Sequence, residues 1–360
     1  MKVAILGNAN SIHVYKWVEG LFSRGIEVHL FSCHHTENSY SKGIHTYKLD
    51  PIAPLGYIFS VIKLRKLLDK IRPDILHAHY VTGYGTLATL SGYSPRLLSA
   101  WGADVYDFPQ KSRLHHWLVE KNLSTCNAIG STSICMSDVI RTISSKLPPV
   151  YITPFGVDTS LFFPKVKNEN KEKIVLGTVK FLHAKYGIDI LIRAFDLVLK
   201  QSECLNIELV IVGSGPEEMN LKSLASELGI SHSVRFEGYV DNKNISQYIN
   251  EFDIFIALSR LESESFGVAV IEASSCGIPV VVSNVSGFKE VVVQEITGIV
   301  VQKDCPKSAA DAISRLVSDH DLRQKMGCSG RVHVMNNYSW DISLNKMICL
   351  YNEINNDKHK

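Results

Sequence analysis

The sequence predicts an α/β protein of two doubly wound, Rossmann-like parallel sheets. Three observations predict it. Short apolar strands alternate with amphipathic helices through the first half; a polar, charged stretch without periodicity, Phe163–Lys173, interrupts the pattern; the alternation then restarts. A chain of 360 residues is long enough for two domains of ordinary size. Residues 1–163 form the first, and 164–340 the second.

The elements follow in order. Val3–Leu6 reads as a strand, His13–Arg24 as a helix ended by Gly25, and Glu27–Ser32 as the next strand. Ile58–Lys70 has helical periodicity, and Ile75–His79 is a strand after Pro73-Asp74. Leu97–Ala100, Ala128–Ser131 and Val150–Thr153 complete the first sheet. Beyond the linker, strands fall at Ile174–Val179, Ile207–Gly213, Val234–Phe236, Ile254–Ala257 and Val280–Ser283. Helices lie near 187–200, 216–228, 244–250, 266–276 and 306–317. A last helix, Ile342–Ile354, follows a Tyr-Ser-Trp corner at 338–340. Sheets of this kind bind ligands at the carboxyl ends of their strands, and two of them place a crevice between domains.

Composition narrows the function classes. Hydrophobic residues make up 45% and charged residues 21%, a globular balance. The net charge of +2 argues against a general nucleic-acid binder. Eight cysteines are scattered with no CxxC pair, which reads as reduced thiols and neither a zinc site nor a disulfide framework. The opening Met-Lys-Val-Ala-Ile-Leu-Gly is a strand without a signal-peptide core, and no apolar run approaches the roughly 20 residues that cross a bilayer. A cytoplasmic location is expected, with peripheral contact at the inner membrane face left open.

Four motifs bear on chemistry. Glu264-Ser-Phe-Gly-Val-Ala-Val-Ile-Glu272 puts a carboxylate before a helix start and another two turns inside it. The free amides of a first helical turn hold anions, and Gly267 lets a ligand approach. In Gly177–Gly187, Lys180 and Lys185 stand five apart in a strand-to-helix loop, so both can reach one diphosphate. Val212-Gly-Ser-Gly-Pro216 lacks the second half of a dinucleotide fingerprint, and Glu217-Glu218 would repel a pyrophosphate, so it reads as a structural turn. Asp319-His-Asp321 reads as a helix cap and not as a metal site.

The order of these motifs resembles the retaining glycosyltransferases of family 4, which have the two-domain GT-B fold. The resemblance covers nearly the whole chain. It is carried by Lys180 and Lys185, Val-Gly-Ser-Gly-Pro-Glu at 212–217, Phe-Glu-Gly-Tyr-Val at 236–240, Glu-Ser-Phe-Gly and Glu-Ala at 264–273, Gly-Ile-Pro-Val-Val at 277–281, Thr297-Gly298 and Gly156-Val157-Asp158. It implies two Rossmann-like domains facing across a cleft, with the final helix, 341–360, packing back on the first.

It also implies roles. Glu264 would bind donor-sugar hydroxyls. The amides of Ser265, Phe266, Gly267 and Val268 would hold the diphosphate, and Glu272 the ribose. Lys180 and Lys185 would stabilise the departing nucleoside diphosphate, and backbone near Tyr239-Val240 would meet the base. No metal and no cofactor beyond the nucleotide-sugar co-substrate is implied. The first domain departs from the family pattern. Asn8-Ala-Asn10-Ser11-Ile-His13 stands where many relatives have Gly-Gly, and Ala100-Trp101-Gly102-Ala-Asp104 lacks a His that many carry before the glycine. Asn10, Ser11, His13, His79, Trp101 and Asp104 are therefore the first-domain candidates for sugar or acceptor contact.

The resemblance implies a retaining transfer of a hexose or N-acetylhexosamine from a nucleotide sugar. A UDP-sugar is favoured and a GDP-sugar is next. The acceptor is a glycan or lipid-linked saccharide of a surface polysaccharide. A UDP-sugar 2-epimerase on the same fold and a non-catalytic nucleotide-sugar-binding partner are the alternatives. Tyr57, Val61, Leu64, Leu68 and Ile71 form a helical stripe among Lys63, Arg65, Lys66, Lys70 and Arg72. That basic helix, with Lys111–Trp117, suits either a sheet cover or a membrane surface.

Overall fold

The computed structural model describes residues 1–166, 173–201 and 206–357. It contains two compact units, Met1–Pro154 with Ser343–Lys360, and Phe155–Ile342. The first holds a seven-stranded sheet: β1 (Lys2–Leu6), β2 (Glu27–Ser32), β3 (His45–Lys48), β4 (Ile75–His79), β5 (Arg96–Ala100), β6 (Ala128–Ser131) and β7 (Val150–Ile152). Their order is β3-β2-β1-β4-β5-β6-β7, and every pairing is parallel. The second holds β8 (Ile174–Val179), β9 (Ile207–Val212), β10 (Val234–Gly238), β11 (Ile254–Ala257), β12 (Val280–Ser283) and β13 (Gly298–Val301), ordered β10-β9-β8-β11-β12-β13 and again parallel. Each order reverses beside its first strand, which opens the strand ends there to ligand.

The central strands are apolar throughout because helices cover both faces. Val3–Leu6 and Val280–Val282 are fully buried. The helix Ile12–Ser23 stops where Gly25 takes φ 77°: Gly25 donates to the Phe22 carbonyl and Ile26 to that of Leu21. Separate apolar cores form in the two units.

The first sheet has one strand more than expected. His45-Thr-Tyr-Lys has no apolar run because β3 is an edge, and Tyr47 stacks on Phe31 with ring centroids 4.7 Å apart. β13 also lies outside the expected strands. Helices Gly83–Ser91, Arg113–Ser124 and Ile134–Ile143 were likewise not expected, whereas helix His320–Asn337 begins where the cap reading places a helix. The Asp319 carboxylate caps the last of these, accepting from the Leu322 amide at 2.8 Å, so Asp319-His-Asp321 is a cap.

Residues 155–163 group with the second unit, so the contact boundary precedes the expected one at 163. The reason is local. Phe162 is buried and its carbonyl accepts from the Ser275 hydroxyl at 2.6 Å, while Val157 bridges to Ser339. Residues 167–172 of the expected linker, and 358–360 of the expected C-terminal segment, lie outside the described residues. The last helix, Trp340–Asp357, counts with the first unit from Ser343. Its buried Tyr351 hydroxyl lies 2.6 Å from His77 Nδ1, and Tyr151 donates to Glu353 at 2.5 Å.

Candidate active site

In the second unit, the loops after β8, β9, β11 and β12 leave the carboxyl edge of the sheet and bring the predicted groups together. Lys180 follows β8. Its Nζ is 2.5 Å from Glu264 Oε2, and the Ser259 hydroxyl donates to the same oxygen at 3.2 Å. Lys180 and Glu264 keep side-chain exposures of only 22% and 12%, so this ion pair is largely shielded from screening water. Lys185 joins them through an aromatic side chain. Lys180 Nζ is 4.4 Å and Lys185 Nζ 4.9 Å from the centroid of Tyr186. One aromatic ring thus lies close to both ammonium groups, which is favourable for each cation and offsets part of their mutual repulsion.

Arg260 braces the lysine loop. It donates to the Ala184 carbonyl at 2.7 Å, pairs with Asp189 at 2.7 Å and with Asp304 at 2.6 Å, and its amide donates to the Lys185 carbonyl at 2.9 Å. Glycines allow the loops to close up. A Cβ on Gly213, where φ is 138°, would stand 1.9 Å from the Lys180 carbonyl oxygen. One on Gly287 would stand 2.3 Å from the Glu264 carbonyl oxygen. The GxG turn is therefore a packing device beneath the lysine loop, which accords with its structural reading.

The helix expected over 266–276 spans Val268–Ser275, with Gly267 as its N-cap in the left-handed region. Ser265, Phe266 and Gly267 form the approach to the helix, while Val268 opens it. The Val270 amide is already used by the Gly267 carbonyl at 3.0 Å. Ser265 and Phe266 are buried, and the Phe266 ring lies edge-on to Tyr338 at 5.5 Å. Glu272, on the same helix, is 6% exposed. Val240 lies past the end of β10, beside a highly exposed Tyr239.

The first unit has its own cluster at the carboxyl edge of β1, β2, β4 and β5. A pocket of about 370 Å³ is lined by Asn8, Ser11, Val14, His34, Tyr57, His79, Tyr80, Thr82, Gly83, Tyr84 and Trp101. His79 is buried with both ring nitrogens unpartnered, its ring 5.0 Å from Trp101 and 4.2 Å from His77. His13 meets Trp101 edge-on at 5.7 Å. The fully buried Asp104 accepts from the amides of Val81 (2.8 Å), Trp101 (3.1 Å) and Gly102 (2.9 Å). It shapes the pocket wall from behind. Asn10 is exposed and accepts from the Glu37 amide at 2.8 Å, outside the pocket lining.

Sequence reasoning missed His34, Tyr57 and Tyr84. The Cys33 amide donates to the Tyr84 hydroxyl at 3.1 Å, and that hydroxyl lies 2.7 Å from His34 Nδ1. His34 stands just past β2, as Asn8 stands just past β1. That strand-end position is the signal that could have found it.

Burial makes this cluster acid-sensitive. Desolvation pushes the His79 imidazole down to about 3, with His13 as a smaller cause, and that of His13 down to about 4, with Lys16 as a smaller cause. Desolvation also holds His77 well below its usual range. An unfolded histidine titrates near 6.5, so below that pH the unfolded chain binds protons that the native chain refuses. Stability present above pH 6.5 is therefore lost as pH falls from 6.5 towards about 4. The unfolding free energy of the full chain is expected to fall as pH drops below 6.5, approaching about 1.4 kcal/mol per pH unit for each such histidine, read from denaturation curves at pH 7 and 5. His79→Gln should flatten the dependence by one histidine's share; an unchanged slope would show that His79 does not titrate this way.

Residues 160–333 match the family described as glycosyl transferases group 1, and residues 2–133 match glycosyl transferase 4-like. An uncharacterised glycosyltransferase of Methanocaldococcus jannaschii is 26% identical over 95% of this chain and 93% of its own. A GDP-mannose-dependent alpha-(1-6)-phosphatidylinositol monomannoside mannosyltransferase of Mycobacterium tuberculosis is 31% identical, over 53% of this chain and about half (52%) of its own length. The fold of Anabaena HepE, crystallised in complex with UDP, superposes with a TM-score of 0.79 at 15% identity, over 98% of this chain and 100% of that one. With both halves matched, the chain belongs to the GT4-like, group 1 glycosyltransferases of the GT-B fold.

Proposed function

We propose that this glycosyltransferase moves a hexose or N-acetylhexosamine from a UDP-sugar to a glycan or lipid-linked saccharide, in the cytoplasm, with retention of anomeric configuration. The observation that carries the reading is the shielded Lys180–Glu264 pair with Lys185 beside it on Tyr186. Without donor, the cation and the carboxylate neutralise each other. A donor offers each a better partner. Its diphosphate takes Lys180 and Lys185, and its sugar hydroxyls take the freed Glu264.

The acceptor hydroxyl then attacks the anomeric carbon from the face that the diphosphate leaves. The C–O bond to phosphate breaks as the new C–O bond forms, and the hydroxyl proton passes to the departing phosphate oxygen. In this reading the two ammonium groups and the first-turn amides at Val268 stabilise the growing phosphate charge, so no metal is needed. The acceptor occupies the first-unit pocket, with His79 hydrogen-bonding a sugar hydroxyl. Peripheral contact with a membrane surface brings a lipid-linked acceptor there. The product is a building block of a surface polysaccharide.

The ribose role of Glu272 is testable by calorimetry. Glu272→Ala should weaken UDP binding at least about ten-fold, the loss of one hydrogen-bonded charged partner. Unchanged affinity would remove Glu272 from the ribose site. A GDP-sugar donor is the second reading, favoured by the name of the mannosyltransferase that this chain resembles over half its length. Titration with UDP and GDP side by side decides between them.

A further inference from the structure

The helical stripe picked out in the sequence turns inward. Leu64 and Leu68 are buried, and Val61 and Ile71 are half-buried, against the first core. A different set of apolar side chains faces solvent. Ile52, Leu55, Ile58, Phe59 and Ile62 are 51%, 58%, 59%, 66% and 68% exposed. They crowd into one short stretch, the turn before helix Gly56–Phe59, that helix, and the start of helix Val61–Ile71. Single exposed apolar side chains are ordinary, but a contiguous group of large ones marks an interaction surface.

Its surroundings say what kind. Ile62, Lys66 and Lys70 stand four apart along Val61–Ile71 and share one exposed face. Lys48, Lys63 and Arg72 add to the rim. The acids nearby are Asp50, set between Lys48 at 3.6 Å and Lys63 at 3.5 Å, and Asp69. Arg65 is turned away, donating to the Leu90 and Ser91 carbonyls. An apolar wedge rimmed by lysines, in a chain whose described helices include none long and apolar enough to cross a membrane, complements acyl chains below an anionic headgroup layer.

The wedge is continuous with the pocket. Tyr57, in the same helix as Ile58 and Phe59, lines it, and its ring meets Tyr84 edge-on at 5.1 Å. We propose that the first unit docks on an anionic lipid bilayer by inserting Ile52–Ile62, which holds the pocket beside Tyr57 at headgroup level for a lipid-linked acceptor. This rests on the reading that the pocket takes the acceptor.

Co-sedimentation of the full chain with vesicles of phosphatidylcholine and phosphatidylglycerol tests it. Wild type should bind these vesicles, less so in high salt or with phosphatidylcholine alone. The combined Ile58→Ser, Phe59→Ser, Ile62→Ser variant should lose binding by at least about ten-fold, and Lys66→Glu with Lys70→Glu should lose only the dependence on anionic lipid. All these positions are exposed, and an unchanged melting temperature would establish that the variants fold. Absence of wild-type binding, or equal binding by the apolar variant, overturns the proposal. So does a dimer in light scattering that the apolar variant dissolves while vesicles bind neither form, since the patch would then join two copies of the chain. Calorimetry with UDP and GDP separates this from the transferase reading: loss of nucleotide binding sinks that reading and leaves the vesicle result standing.

Discussion

Glu264→Ala is expected to lower transfer by at least about a hundred-fold while leaving UDP or GDP affinity within a few-fold of wild type. In the ligand-free protein this carboxylate holds Lys180 at 2.5 Å and accepts from Ser259. In the proposed reading its removal takes away the partner of the donor sugar and frees an ammonium group beside the diphosphate. The two consequences oppose each other in nucleotide binding, because a freed Lys180 binds phosphate more readily. They act in one direction on chemistry, because the sugar is no longer held at the attacking hydroxyl. Steady-state rates with calorimetry on the same preparation check the split. Equal losses in turnover and nucleotide affinity would show that Glu264 supports the fold of the site and does not contact the sugar.

Lys185→Ala is expected to lower turnover more than ten-fold, and Lys180→Ala by at least as much. Lys180 has two partners to lose, Glu264 and the ring of Tyr186, whereas among the described residues the Lys185 ammonium group has the ring. If both cations act on one departing diphosphate, as proposed, the double variant should cost less than the product of the single effects. Single-turnover rates on the three variants measure this. Near-normal turnover in Lys185→Ala would remove that residue from the phosphate site.

The second unit was the more legible half. β8 to β12 announce themselves as apolar runs, and the groups that meet at their ends lie in loops whose glycines and lysines stand close in sequence. Lys180, Lys185 and Glu264 could be named because each lies in a loop that follows a strand. Tyr186 and Arg260 could not be weighted. A tyrosine between a lysine and a glycine gives no sign that both ammonium groups will settle beside its ring. Two of Arg260's four contacts are to Asp189 and Asp304, which only the fold brings near. In the first unit, β3 hid because an edge strand needs no apolar run. The exposed wedge hid because apolar side chains at helical spacing look the same from either face. The sequence left the Leu64 and Leu68 stripe open between a sheet cover and a membrane surface; packing buries it and puts Ile58, Phe59 and Ile62 outside. Asp104 looked like a sugar ligand, yet its oxygens are taken by backbone amides.

The proposed transfer can be tested through its product. Proton NMR of the reaction of the full chain with a panel of UDP- and GDP-sugars and a saccharide acceptor reads the anomeric configuration directly. The account predicts a new glycoside with the donor's own configuration, released nucleoside diphosphate in equal amount, and neither in Glu264→Ala. A glycoside of inverted configuration, or a new sugar nucleotide formed without acceptor, would contradict it.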